Sequence, residues 1–419
     1  LALSRTRDAE AIHWIKSKGL KRLRRAQGAE FVALGAVEAL AGADYELVHK
    51  TLLAEAKSTK EPAARVLVLD WLGRHKPPEA FGLAMGALGA RQQVVQRAAV
   101  SCLKALDDPH AVKPLIDLLG RSRGTLAVEI EGVLHHFTGQ SFQGSHDVWL
   151  QWWEREGEAW LAGKDNAERF EAKAAPRRQG GTYFYGLETE SQRIVFVLDR
   201  SGSMKSSASA ASRNVGQNPK SPHPAPEDEE IEGESKIDVA RNQLIYTIKH
   251  LPQDVYFNIV FYSSGVEAWQ EAPAMMPADE KNKAAAIEWI EAIEAEGSTQ
   301  LFDALEKALE YANNLEAKDP SKGGCDTIFL LSDGSPTVPS GGEQLQGDAL
   351  EEAWARVKRG NKVFRCVIHT VGVGRGHNRN LMMRIAKETG GPESSEKFGE
   401  HPASNCSIAK IETFDRLMQ

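Results

Sequence analysis

The sequence predicts two domains of different class. An all-α array of helical repeats fills residues 1–162, and an α/β domain with a central, mostly parallel sheet fills residues 185–393. Three observations lead there. Before residue 162 the apolar residues recur with helical period, in segments cut by short turns. Those segments resemble one another at an offset of roughly 31–34 residues, the range of helical repeats. After residue 185 wholly apolar runs of strand length alternate with amphipathic ones, as buried strands alternate with helices in α/β folds.

In the first domain the helical patterns run over Phe31–Leu40, Tyr45–Ala56, Ala63–Leu72, Ala80–Leu88, Val94–Leu106 and Ala111–Leu119. Lys76-Pro77-Pro78 and Asp107-Asp108-Pro109 divide them, because proline cannot continue a helix and Asp favours turns. The stretch from Ala64 to Leu88 resembles that from Ala98 to Leu119, and Leu126 to Phe137 opens a further unit. Asp108-Pro109-His110-Ala111-Val112-Lys113-Pro114-Leu115 is similar to the inter-helix turn of HEAT-type repeats. Helix pairs of that kind stack into a common core and commonly serve as protein-binding scaffolds. Trp149, Trp152, Trp153 and Trp160 close the array and are expected as core or domain-contact residues on one helical face. The basic run Lys16, Lys18, Lys21, Arg22, Arg24, Arg25 reads as a solvated helix face. Residues 163–184, rich in charge, Ala and Gly, read as a linker, with Thr182-Tyr183-Phe184-Tyr185 docking it to the sheet.

In the second domain the apolar run Ile194-Val195-Phe196-Val197-Leu198 ends in Asp199, with Ser201 and Ser203 beyond it. This D-x-S-x-S offers one carboxylate and two hydroxyls on alternate residues at a strand end. Hard divalent cations prefer such oxygen ligands, with water retained in the shell. Further along, Gly297-Ser298-Thr299-Gln300 precedes an apolar-periodic helix through Leu301, Ala304, Leu305, Ala308 and Leu309. Thr299 is either that helix's N-cap or a further oxygen ligand. A second apolar run, Ile328-Phe329-Leu330-Leu331, leads into Ser332-Asp333-Gly334. In an open parallel sheet ligands bind at the carboxyl ends of the strands, so Asp199 and Asp333 are expected in one crevice.

These residues resemble the von Willebrand factor A domain and its metal-ion-dependent adhesion site. Lys236-Ile237-Asp238-Val239-Ala240-Arg241 resembles the family's first helix, Phe257-Asn258-Ile259-Val260-Phe261 its second core strand, and Ile368-His369-Thr370-Val371-Gly372-Val373-Gly374 its fifth. The resemblance gives the α/β domain a Rossmann-like fold. It implies that Ser201, Ser203 and Thr299 touch the metal, with Asp199 and Asp333 acting directly or through water. It also implies Mg²⁺, or Mn²⁺ or Ca²⁺ in its place, and a protein partner whose Asp or Glu completes the coordination. A non-enzymatic interaction protein follows, with the helical repeats as a second contact surface. An assembly or regulatory subunit of an ATPase or chelatase-type complex is the alternative, since related A domains work beside such engines. A metal-dependent hydrolase comes third. No G-x-S-x-G elbow surrounds either serine, no Walker A loop occurs, and Ser201 stands where an aspartyl phosphotransferase carries its second Asp. His223 and His250 lie in an insert and at a helix end, while His369 is expected as a satisfied core histidine.

The remaining features set bounds. At 419 residues with net charge −7, wholesale nucleic-acid binding is disfavoured, and no run is long enough to span a membrane. The expected protein is soluble. Its compartment stays open, export included, because Leu1 in place of Met implies a segment removed or omitted before it. Cys102, Cys325, Cys366 and Cys406 show no zinc spacing; Cys325 and Cys366 on neighbouring strands could pair, but free buried thiols are expected. Unlike the family's short connection, residues 205–235 form an insert rich in Ser, Pro and acids, expected as flexible surface chain. An acid from it, such as Glu229 or Glu232, could cover the metal site. The extension 394–419 matches nothing, apart from the sequon Asn405-Cys406-Ser407.

Overall fold

The computed structural model describes residues 61–142, 145–163, 181–185, 187–208, 234–313, 324–338, 342–373 and 378–390, with 50, 52–54 and 57 ahead of them. The basic run, the first predicted helix, His223, Cys406, the acidic residues 227–232 and the extension 394–419 lie outside them. Two compact units emerge, one holding the helices up to Leu161 and the other the chain from Thr182 onward.

The first unit is all helical. Its helices are α1 (Pro62–His75), α2 (Ala80–Ala87), α3 (Gln93–Leu106), α4 (Val112–Leu119), α5 (Gly124–Thr138), α6 (His146–Trp152) and α7 (Glu158–Leu161). Pro62 opens α1 in the first turn, where its missing N–H costs nothing. Left-handed Lys76, Asp107 and Gly139 close α1, α3 and α5, and Asp108 then caps the turn into α4 by accepting from the His110 N–H. Helices α1, α3 and α5 begin at 62, 93 and 124, a step of 31 residues each time. They pack in series, α1 on α3 and α3 on α5. Arg97 of α3, 2% exposed, reaches across that step and donates from Nε to Glu129 Oε1 at 2.9 Å.

Trp149 and Trp152 are buried and meet edge to face at 5.8 Å, with Phe142 4.6 Å from Trp149 and Trp160 5.9 Å from Trp152. A π-turn over Trp153–Gly157 breaks the regular spacing. Gly157 lies against the Trp153 ring, where a Cβ would stand 2.5 Å from a ring carbon. The tryptophans thus form a core, on a wound rather than a straight helical face.

The second unit opens with a hairpin, β1 (Thr182–Phe184) and β2 (Leu187–Thr189), so the chain is already a strand where a linker was expected. Then come β3 (Arg193–Asp199), α8 (Lys236–Lys249), β4 (Tyr256–Tyr262), β5 (Val266–Ala268), β6 (Met276–Pro277), α9 (Glu280–Glu291), α10 (Leu301–Glu310), β7 (Thr327–Ser332), α11 (Gly347–Phe364), β8 (Val367–Gly372) and α12 (Arg379–Gly390). The sheet order is β5-β4-β3-β7-β8, with β6 also on β4. β3, β4, β7 and β8 run parallel, and only β5 and β6 are antiparallel.

Pleating sends Ile194, Phe196 and Leu198 of β3 into one core with Phe257, Ile259 and Phe261 of β4, under Leu244 and Ile248 of α8 and Ile290 of α9. Phe184 wedges its ring against Phe196 and Phe329 at 5.4 and 5.5 Å, which is how the hairpin is anchored. On β8, His369 is buried and stacks on Phe329 at 4.8 Å, but its Nδ1 has no hydrogen-bond partner. The expected core position is found, but at Nδ1 the ring is left without the expected partner. Burial lowers its pKa to about 4. Cys325 and Cys366 stand just ahead of β7 and β8 as thiols with sulfurs 3.8 Å apart, and Cys102 is buried in α3.

Candidate metal centre

Chain order and sheet order diverge at β3. The chain leaves β3 through α8 toward β4 on one side and leaves β7 through α11 toward β8 on the other. Between the carboxyl ends of β3 and β7 the connections part, and such a switch point is where open parallel sheets form a ligand crevice. Register does the rest. Leu198 pairs with Leu331, so Asp199 falls beside Ser332 and Asp333 follows one residue on.

A chain of hydrogen bonds joins four of the five expected residues. Asp199 is fully buried; its Oδ1 accepts from the Ser201 N–H at 2.8 Å and its Oδ2 from Ser332 Oγ at 2.9 Å. Ser203 Oγ donates to Asp333 Oδ1 at 2.7 Å and lies 3.0 Å from Ser201 Oγ. A hydroxyl has one proton, so Ser201 is the donor to Ser203 and the order Ser201 to Ser203 to Asp333 is set. Burial pushes the Asp199 carboxyl up to about 6; the Asp333 charge adds to the rise, while hydrogen bonds from Ser201 and Ser332 oppose it. The neighbouring Tyr262 phenol is held well above its usual value, first by burial and then by the Asp199 charge, and it donates to the Leu331 carbonyl at 3.1 Å.

Thr299 arrives differently. Helix α10 starts at Leu301 with Gln300 as its N-cap and no side-chain cap, so the capping role does not fall to Thr299. Its N–H accepts no such duty either, donating instead to Thr337 Oγ1 at 3.0 Å, while its carbonyl accepts from the Thr337 N–H at 2.9 Å. That double tie turns its hydroxyl toward Gly334, where a Cβ would lie 3.8 Å from Thr299 Oγ1. It therefore approaches the residue after Asp333, and among the described residues no hydrogen bond joins it to the other four. The loop carrying it is brought in by Gly297, at φ +75°, whose carbonyl accepts from the Gly202 N–H at 2.9 Å. A Cβ on Gly297 would stand 2.5 Å from Ser264 Oγ, so this close approach needs glycine. At the start of α10 a cleft of about 220 Å³, lined by Leu301, Asp303, Thr337, Leu345, Glu352 and Arg356, includes none of the five expected residues.

One participant escapes sequence reasoning. Lys236 Nζ donates to Asp333 Oδ2 at 2.7 Å, with its side chain 15% exposed and that of Asp333 0%. Lys236 opens α8, whose Ser235 and Asp238 form a capping box. A cation in the first turn opposes the helix dipole, so a lysine there signals a carboxylate within reach. That signal was present in the sequence.

The donor set suits a hard cation: two carboxylates and three hydroxyls, with no thiol or imidazole among them. Among the described residues no group of three or more His, Cys, Asp or Glu side chains has the arrangement of a metal site. The ammonium against Asp333 shows that this crevice accepts positive charge.

The comparisons agree with the fold. Residues 230–394 match the family model of the von Willebrand factor type A domain, and residues 50–129 match that of HEAT repeats. The second unit contains a von Willebrand factor type A domain, and HEAT repeats precede it. The matched stretch of the A domain begins downstream of Asp199, Ser201 and Ser203, which come from β3 and the turn after it. Among curated relatives, inter-alpha-trypsin inhibitor heavy chain H4 of Homo sapiens is 29% identical over 155 residues, covering 36% of this chain and 13% of its own length. Heavy chain H3 of Bos taurus is 24% identical over 207 residues, covering 49% of this chain and 19% of its own. The chain thus spans less than a fifth of the relatives it matches. A solved von Willebrand factor type A protein from Catenulispora acidiphila aligns over 48% of this chain and 38% of its own, with 18% identity and a TM-score of 0.34. No described helix is long and apolar enough to cross a membrane.

Proposed function

We propose that the A domain is a metal-dependent protein-interaction module without catalytic activity. Ser201, Ser203 and Thr299 hold a divalent cation, Mg²⁺ or alternatively Mn²⁺ or Ca²⁺, with Asp199 and Asp333 acting directly or through water. The cation supplies a Lewis-acidic position for an Asp or Glu of the partner. This chain's residues do the positioning. The β3–β7 register sets the carboxylates side by side, Ser332 and the Ser201 N–H orient Asp199, and the Thr337 ties aim Thr299. The single observation that carries the proposal is the convergence of Asp199, Ser201, Ser203 and Asp333 on one crevice at the switch point. The HEAT repeats give a partner a second surface. The relation to chains named as inhibitor heavy chains supports an interaction role.

Recognition is favoured over catalysis by where the protons are. The Ser203 proton is committed to Asp333, and the His369 ring is stacked inside the sheet on Phe329. Titration with Mn²⁺, read by electron paramagnetic resonance, tests the proposal. The full chain binds one ion per molecule, and Asp199→Ala loses at least about 10-fold in affinity. Equal binding by Asp199→Ala, or none by either protein, contradicts it.

A further inference from the structure

Asp333 has both carboxylate oxygens engaged: Oδ1 accepts from Ser203 and Oδ2 from Lys236. The lysine is not there by chance of a long side chain. Its backbone N–H donates to the Ser206 carbonyl at 3.0 Å, and Ser206 follows the short 3-10 turn Gly202–Lys205 that carries Ser203. Ser207 and Ser235 form an antiparallel bridge, and the Ala208 N–H donates to the Glu234 carbonyl at 3.0 Å. The loop that presents the serines and the helix end that presents the ammonium are therefore one joined piece of backbone. The capping box of Ser235 and Asp238 fixes where α8 begins, and so where Lys236 starts its reach.

The charge count then matters. Two carboxylates face the crevice, and one ammonium already answers one of them. With the ammonium in place, a divalent ion arriving there meets half of the net anionic charge that the carboxylates alone would offer. The lysine has somewhere to go. Its side chain keeps 15% of its exposure, and a four-carbon stem can carry the ammonium into water.

We propose that Lys236 is a tethered counter-cation of the metal centre, which holds Asp333 when no ion is bound and is released from it when one binds. It lowers the affinity of the site and couples metal uptake to a movement at the start of α8, beside the paired stalk of the 205–235 insert. The inference rests on the metal reading of the crevice proposed above.

Two readouts on the full-length chain test it. Mn²⁺ titration compares the wild type with Lys236→Gln, Lys236→Arg and, as the site control, Asp199→Ala. Lys236→Gln is expected to bind about 10-fold more tightly or better, and Lys236→Arg to bind like the wild type. Acetic anhydride labelling of the unmutated protein, read by mass spectrometry at Lys236, keeps the test alive if Lys236→Gln does not fold. Saturating Mn²⁺ is expected to raise labelling at Lys236 at least about threefold over the level in chelator, in line with loss of its charge-paired hydrogen bond. Unchanged affinity in Lys236→Gln, or unchanged labelling, while Asp199→Ala still weakens binding, overturns the counter-cation and leaves the metal centre standing. Absence of Mn²⁺ binding in wild type and Lys236→Gln alike overturns the metal centre, and the counter-cation with it.

Discussion

The β3–β7 pair carries a buried carboxylate beyond each end of β7, and the two are balanced in different ways. At the amino end Asp326 faces Arg193, whose Nη2 donates to Oδ2 at 3.2 Å, while Ser191 Oγ donates to Oδ1 at 2.5 Å. One acid meets one base, and both belong to the sheet itself. At the carboxyl end Asp333 faces Lys236 and Ser203 in the same fashion, but Asp199 stands beside it as a second acid. Burying a surplus carboxylate costs stability, and a fold built only for stability would balance or remove it. The surplus sits at the switch point, where ligands bind in such sheets. Neighbouring ends of the same two strands thus separate a structural ion pair from a site.

Breaking the balanced end should have the largest effect. Asp326→Ala takes the carboxylate from Arg193 and Ser191 and is expected to destabilise the A domain by about 3–5 kcal/mol. Urea unfolding checks this, and the loss should be the same with and without divalent metal. A loss that metal reverses would blur the contrast between the two ends.

A smaller effect is expected from His369, a buried titratable group that has neither a base nor an acid to answer it. Its pKa is lowered to about 4 from an ordinary 6.5. Between those values the unfolded chain takes up a proton that the folded one refuses, so this group's contribution to stability is full above pH 6.5. It is lost as pH falls toward 4, to a limit of about 3 kcal/mol. Asp199 works in the opposite sense over part of that range, because its raised carboxyl takes up a proton in the folded chain first. The difference between wild type and His369→Phe isolates the histidine. Unfolding midpoints across pH 4–7.5 should fall more steeply on acidification in the wild type; parallel curves would mean that burial alone does not govern the group.

How much of this was legible in the sequence differs between the two ends. Apolar runs ending in Asp199 and Asp333 mark strand ends, and strand ends in a parallel sheet share an edge, so the site's carboxylates could be placed by rule. Thr299 could not be decided by rule, since a threonine before a helix serves equally well as a cap. Its tie to Thr337, 38 residues away, settled its role against capping. A lysine opposing the helix dipole at 236 hints at an acid but does not name it, because the partner is 97 residues distant and only register brings them together. The Arg193–Asp326 pair went unseen for the same reason, and the hairpin at Thr182 because its three-residue strands are too short for a pattern of period two. In the helical unit the repeat was plain, since each turn signal is local. The bend after Trp152 was not, because a π-turn arises from packing around Gly157 and the Trp153 ring.

The surplus carboxylate, in the reading proposed above, exists for a cation. Urea unfolding of the A domain in the full chain, in chelator and in Mn²⁺ at 100 times its dissociation constant, tests that most directly. Metal is expected to stabilise the wild type by about 2.7 kcal/mol and Asp199→Ala by about 1.4 kcal/mol at most. Equal midpoints in chelator and metal for the wild type, or an equal shift in Asp199→Ala, would contradict it.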